Sequence, residues 1–268
     1  MSSQSAYFVF PGFDPVAFSV GPLVVRWYAL AYIAGILIAW RYVLSLTRRP
    51  PALVSPTQVE DMVTWGTLGV ILGGRLGQVL LWDPDYYFAH PIDILKVWEG
   101  GMAFHGGLLG VILAMFIYAR REGISFFALA DPIAAATPVG LGLGRLANFV
   151  NGELWGRATD VPWAVVFPHV DQLPRHPSQL YEALGEGLIL FVILFLLARR
   201  ESIRRRLGLL SGVFLIGYAL ARMAVENFRE PETLTASLGP TTWGQWLSLP
   251  MLAYGLYLVW RAMRRAPA

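Results

Sequence analysis

Residues 179–206 read QLYEALGEGLILFVILFLLARRESIRRR. A partly polar start leads into an unbroken apolar block, which stops on Arg199, Arg200, Arg204, Arg205 and Arg206. A hydrocarbon core roughly 30 Å thick is crossed by about 20 mainly apolar helical residues, and the stretch has that length. Basic residues flanking a span stay on the cytoplasmic side. The stretch therefore predicts a membrane helix over 179–198 whose C-terminal end faces the cytoplasm.

The same pattern recurs along the chain. It predicts helices over 22–45, 59–82, 103–120, 126–150, 179–198, 208–228 and 243–261. Trp27, Trp40, Trp82, Trp98, Trp243, Trp246 and Trp260 fall near helix ends, the depth amphipathic rings favour. Composition agrees: 56% of the 268 residues are hydrophobic and 15% charged, against about 45–50% and about 25% in soluble domains. The spans 59–82 and 126–150 have the weakest hydropathy, since each carries several glycines and an internal arginine.

Loop charges orient these helices. Arg41, Arg48, Arg49, Arg120, Arg121, Arg199, Arg200, Arg204, Arg205, Arg206, Arg261, Arg264 and Arg265 occupy one set of loops and the C-terminus. The opposite set holds only Lys96, Arg157, Arg175 and Arg229. The positive-inside rule puts the first set in the cytoplasm. The N-terminus is then outside and the C-terminus inside, which requires an odd number of spans. The expectation is a single all-α integral membrane domain over 1–268 with about seven spans. The outer loops, 83–102, 151–178 and 229–242, are long, and elaborate loops mark a working face. Within 151–178 the strand-like run WAVVF (163–167) suggests a small periplasmic cap.

Several chemistries are excluded. With no cysteine there is no disulfide, zinc-thiolate site, iron–sulfur cluster or cysteine nucleophile. Basic residues are too dispersed for a nucleic-acid stripe. The first 21 residues lack Lys and Arg and include Pro11, Asp14 and Pro15, unlike a signal peptide, so a short exposed segment is expected. The four histidines lack metal-ligand spacing, and no metal or cofactor is expected. GLGLG at 140–144 lies in a predicted span without a preceding strand, so helix packing explains it better than dinucleotide binding.

Arg26, Arg75, Arg145 and Arg222 fall in or near spans. A charge at mid-bilayer costs about 2.5–3.5 kcal/mol on insertion scales. Arg26 can snorkel to the interface; the other three are read as functional. The densest polar run is GRLANFVNGELWG at 144–156. It carries Arg145, Asn148, Asn151 and Glu153, with Arg145 and Asn148 on one helix face. A guanidinium can grip a phosphate bidentately; a helix cap with an Arg145–Glu153 ion pair is the plainer alternative. A second run, GGMAFHGG at 100–107, holds His105, a candidate general base or simply a packing histidine. A third, HPSQLYE at 176–182, fits an ordinary cap with Ser178 near the N-cap and Glu182 in the first turns. A fourth places Tyr218, Arg222 and Glu226 at spacing four on one face, with Arg229 beyond. There Arg222 either faces a cavity or only pairs with Glu226. Tyr28 adds a further polar group.

These runs resemble the prolipoprotein diacylglyceryl transferase family of bacteria. The run at 144–156 is similar to the family motif; FHGG (104–107), HPSQLYE (176–182) and ENFREP (226–231) resemble other segments of the family in the expected order. The likeness covers about residues 20–261. It implies a seven-span inner-membrane enzyme that moves the diacylglyceryl group of phosphatidylglycerol onto the lipobox cysteine of a prolipoprotein. A thioether forms and glycerol 1-phosphate leaves at the periplasmic side. The resemblance further implies His105, Arg145 and Arg222 as catalytic. Tyr28, Asn148, Glu153, Gly156, Tyr218 and Glu226 would bind substrate. Two rivals remain at this point: a small transporter, which predicts inverted repeats that the chain lacks, and a phosphatidylglycerol-dependent transferase with another acceptor.

Overall fold

Ser55 and Thr242 open two of the long helices in the same way. Each side chain accepts from the backbone N–H three residues on, and Gln58 and Gln245 reach back to close a capping box. The computed structural model describes residues 7–21, 23–230 and 242–267. Its helices are α1 (Trp27–Thr47), α2 (Pro56–Gly77), α3 (Pro84–Ala89), α4 (Phe104–Arg121), α5 (Phe126–Val150), α6 (Ser178–Glu182), α7 (Leu190–Ala198), α8 (Glu201–Arg204), α9 (Leu209–Val225) and α10 (Trp243–Arg264). Wider π turns extend α2 through Gln78–Trp82 and join α6 to α7 through Ala183–Ile189. Each predicted span thus has a helical counterpart. Three helical runs, Trp27–Thr47, Phe126–Val150 and Ser178–Ala198, are long and apolar enough to cross a membrane. Phe126–Val150, expected to be among the weakest by hydropathy, is thus one of the strongest, its Leu, Ala and Phe residues outweighing its glycines and Arg145.

The first span needs a correction. Helix begins at Trp27, not at 22, because the preceding residues form an antiparallel hairpin of β2 (Val16–Val20) and β3 (Leu23–Arg26). Gly21, with φ +59°, sits in its turn, a conformation most side chains resist. Arg26 therefore ends a strand. Of the outer loop 229–242, residues 231–241 lie outside the described residues.

The chain forms two compact units. The unit over 43–130 is built on α2 against α4. Gly69, Gly73 and Gly77 meet Gly106 and Gly110, and a methyl on any of the five would strike facing atoms, mostly backbone. Small residues allow this approach between membrane helices. At the end of the pair, Arg75 is buried. All five of its N–H donors go to carbonyls: Nε to Ile94 at 2.9 Å, the others to Gly100 at 2.6 Å, Gly101 and Lys96 at 3.2 Å, and Asp93. Its guanidinium also lies over the Tyr87 ring, 5.0 Å from the centroid. Arg75, expected to be functional, is the clasp of the 91–101 loop.

The other unit joins residues 1–42 to 131–268. Glycine contacts again set helix distances: Gly35 on Gly140, Gly142 on Gly187, and Gly212 on Gly255. Asp131 on α5 caps α9, accepting from the N–H of Gly208 (2.8 Å) and of Ser211 (2.9 Å) and from the Ser211 hydroxyl (2.6 Å). Beyond α5 a three-stranded sheet forms, in the order β1 (Phe8–Val9), β4 (Val165–Val166), β5 (Pro174–Arg175). β1 runs parallel to β4, and β4 antiparallel to β5. Phe10, Val165 and Phe167 form its core, with Phe149, Trp155 and Val170 packed around them. The strand character read in 163–167 is realised; its pairing with residues 8–9 has no signal in the sequence.

Candidate active site

Three polar runs, at 144–156, 176–182 and 222–229, meet in the unit formed by 1–42 and 131–268. The last turns of α5 carry Arg145 and Asn148. The helix then breaks at Gly152, φ +67°, and Leu154, φ +58°. This folds Glu153 back, so that its Oε1 accepts from Asn148 Nδ2 at 2.8 Å and Asn151 Nδ2 at 3.2 Å. The Arg145–Glu153 pair considered from sequence does not form. Arg145 instead faces Glu182 at 3.3 Å and Glu186 at 3.3 Å.

Glu182 is fully buried and is the hub. Its Oε1 accepts from Arg222 and from Arg229, both at 2.6 Å. Arg222 also pairs with Glu226 at 2.9 Å, and Arg229 approaches the same carboxylate at 3.7 Å. The Arg222–Glu226 pair thus exists, as one edge of a larger network. Three guanidinium groups and three carboxylates balance one another. Removing an ion from water costs several kcal/mol, offset only where partners are close. The balance explains why Glu182 and Glu186 tolerate complete burial. Tyr218 lies within electrostatic range of Glu186, Arg222 and Arg145. The Tyr28 hydroxyl is 3.2 Å from that of Tyr32, which in turn feels Arg145.

Gly156 holds the runs together. Its N–H donates to His176 O, and the Arg157 N–H to Phe228 O, each at 2.9 Å. A Cβ here would stand 2.5 Å from Phe228 O and 2.6 Å from His176 O, so only glycine fits. Gln179 Nε2 donates to Glu153 O at 2.6 Å, and the Ser178 hydroxyl to Leu154 O at 2.9 Å. The first turn of α6 is thereby tied to the motif, and Ser178 is no free cap. Tyr181 receives a hydrogen bond from Trp163 Nε1 at 2.7 Å and lies 3.1 Å from His176 Nδ1. Burial pushes the His176 imidazole below its ordinary pKa.

His105 lies in the other unit, exposed on the first turn of α4, with its ring against the edge of Phe104. Sequence reasoning misses Glu186, leaves Arg229 beyond the shared helix face and gives Glu182 only a capping role. The signal is present all the same: two carboxylates four apart at the start of an apolar run must find partners.

The family model described as prolipoprotein diacylglyceryl transferase matches residues 15–261. The chain belongs to that family. Among its relatives, a phosphatidylglycerol–prolipoprotein diacylglyceryl transferase of Gluconacetobacter diazotrophicus is 53% identical over 260 residues, covering 96% of this chain and 93% of that protein. The protein of the same name from Azospirillum brasilense is 52% identical over 262 residues, with 97% and 98% covered. That from Paramagnetospirillum magneticum is 54% identical over 258 residues, with 96% of each covered. Of the runs that carry the family likeness in sequence, 144–156, 176–182 and the described part of 226–231 are stitched together through Gly156, Ser178 and Gln179, while 104–107 lies in the other unit.

Proposed function

We propose that this chain transfers the diacylglyceryl group of phosphatidylglycerol to the lipobox cysteine thiol of a prolipoprotein, the first step of lipoprotein maturation. The carrying observation is the arginine cluster around Glu182, since a lipid phosphate needs buried, geometrically fixed cations. The sulfur attacks the carbon of the diacylated glycerol that bears the phosphate. An S–C bond forms, the C–O bond breaks, and glycerol 1-phosphate leaves. Arg145 and Arg222 take the charge that builds on the leaving phosphate, the kind of stabilisation that dominates many enzymes. A thiol with a pKa of about 8.5 is a weak nucleophile until deprotonated; His105 takes that proton and later returns it to water. Asn148 and Glu153, locked to each other, shape the headgroup site with Tyr28, Tyr218 and Glu226, and Gly156 keeps its walls in place. The chain contributes no thiol, so the only sulfur nucleophile is the substrate's. The proposed displacement calls for no metal or cofactor.

The reading includes one polytopic domain of seven spans in the bacterial inner membrane, N-terminus outside and C-terminus cytoplasmic, with the site towards the periplasm. The β1–β4 pairing supports it: strands 8–9 and 165–166 must share one side of the membrane. An even number of crossings then separates them, and the four runs α1, α2, α4 and α5 meet that condition. The β1–β4–β5 sheet is the periplasmic cap.

The test is transfer from phosphatidylglycerol to a lipobox peptide in vesicles, with a Cys→Ser peptide as control. Transfer that persists with the serine peptide would point to another acceptor. His105→Asn should abolish turnover while leaving lipid binding intact; near-normal rates would remove the base role. A cysteine placed by Ala266→Cys should resist an impermeant label added outside intact cells, and labelling there would overturn the orientation.

A further inference from the structure

The six charges of the site are not held equally. Glu182 Oε1 accepts from Arg222 and Arg229 at 2.6 Å, and Glu226 meets Arg222 at 2.9 Å. These are the short contacts expected between charged partners, about 2.7–2.9 Å. Glu186 has only long ones: its Oε2 is 3.4 Å from Arg145 Nε and 3.3 Å from Arg145 NH2. Its other oxygen, Oε1, is buried without a hydrogen-bond partner among the described residues, as are Glu182 Oε2 and Glu226 Oε2, but those two carboxylates each keep an ion pair at 2.6 or 2.9 Å. Glu186 itself has no exposed surface. The groups facing it are Arg145 from α5, Glu182 one turn earlier on its own helix, and Arg222 and Tyr218 from α9. The turn that carries it is a π turn, Ala183–Ile189, a device often found where a side chain is aimed for function.

A balanced cluster poses a problem for an enzyme that must admit an anion. The lipid phosphate adds one negative charge and the leaving phosphate monoester a second. A phosphate gains the full charge of a guanidinium only by displacing its carboxylate, and the contact that yields first is the weakest. We infer that Glu186 is an exchangeable counter-ion: it holds Arg145 while the site is empty and gives that guanidinium up to the incoming phosphate. This inference rests on the phosphate-binding reading of Arg145. Glu186 touches no substrate and acts through Arg145, so it is a positioning residue. After reaction it competes with the phosphate monoester for the same guanidinium. That competition opposes the dianionic product more than the monoanionic lipid, and so favours release.

Glu186→Gln keeps the size of the side chain and removes its charge. In the vesicle assay it should lower the inhibition constant for added glycerol 1-phosphate by about fivefold or more, the effect of removing a competitor worth roughly 1 kcal/mol. KM for phosphatidylglycerol should fall less, and kcat should fall as product release slows. A merely structural role would raise KM or lower the yield of folded enzyme and leave that inhibition constant unchanged. Glu186→Asp, which keeps the charge but withdraws it by one methylene, should move the constant the same way by less, and it serves as the reading if the Gln variant does not fold. An inhibition constant unchanged or raised, while Arg145→Lys loses turnover, overturns the exchange role alone. If Arg145→Lys retains normal turnover, the phosphate reading fails instead.

Discussion

Arg75 and Arg145 are both arginines of long helices in a largely apolar chain, yet their surroundings differ in kind. Arg75 is 5% exposed and meets five neutral carbonyls, so each N–H is satisfied and no direction is left for a ligand. Arg145 keeps 18% of its side chain open and meets two carboxylates at 3.3 Å. Carbonyls saturate a guanidinium geometrically and leave its charge in place; carboxylates cancel the charge while leaving donors to spare. The first arrangement suits a clasp, the second a site. An intramembrane arginine is thus classified by what accepts from it, more than by its depth.

The strongest way to break this contrast is Arg145→Lys. Lysine keeps the charge and loses the planar fork, and transfer should drop by about 100-fold or more, the scale of losing one transition-state donor, with folding yield preserved. Arg75→Met should do the opposite. It takes the donor from five loop carbonyls of half-buried or exposed residues, each worth up to about 1–3 kcal/mol where water cannot replace it. The solubilised protein should lose on the order of 3 kcal/mol, and amide exchange over 91–101 should accelerate. Turnover per folded molecule should change far less than in Arg145→Lys; an equal loss would erase the distinction.

Gly156→Ala sharpens the comparison from the side of the scaffold. The added methyl meets carbonyls at 2.5–2.6 Å, and overpacking of this kind costs about 1–3 kcal/mol. Activity should fall further than the melting temperature suggests, because Arg229 follows Phe228 directly. The smallest effect concerns pH. His176 has an ordinary pKa of 6.5, and burial lowers it in the folded chain. The unfolded chain therefore binds the proton first as pH falls. The stability that neutral burial provides is complete above 6.5 and is lost as pH drops through the folded value. Melting scans against His176→Gln should show a constant difference above that point and a shift against the wild type below it.

Much of the helical fold is legible because apolar block length is a local signal. The helix over 126–150 appears with the bounds its sequence predicts, and the 179–198 span differs by one residue. The hairpin at 16–26 is hidden because a short apolar run such as Leu23, Val24 and Val25 serves strand and helix alike; here all three belong with Arg26 to β3. Arg145, Asn148 and Arg222 are legible as candidates since polar groups in apolar helices stand out, and the fold brings them into one polar cluster. Arg75 misleads for the same reason: its partners are backbone carbonyls, which any sequence has. Arg229 reads as a loop charge because only the fold brings it back to Glu182.

The parallel pairing of β1 with β4 has a consequence in time. Residues 8–9 leave the ribosome far ahead of residues 165–166. At about 5–20 residues per second the wait is roughly 10–30 s. Throughout it Phe8, Val9 and Phe10 have no sheet to join and no core to fill. This segment, made well before its partner strand, waits for β4 before it reaches its native place.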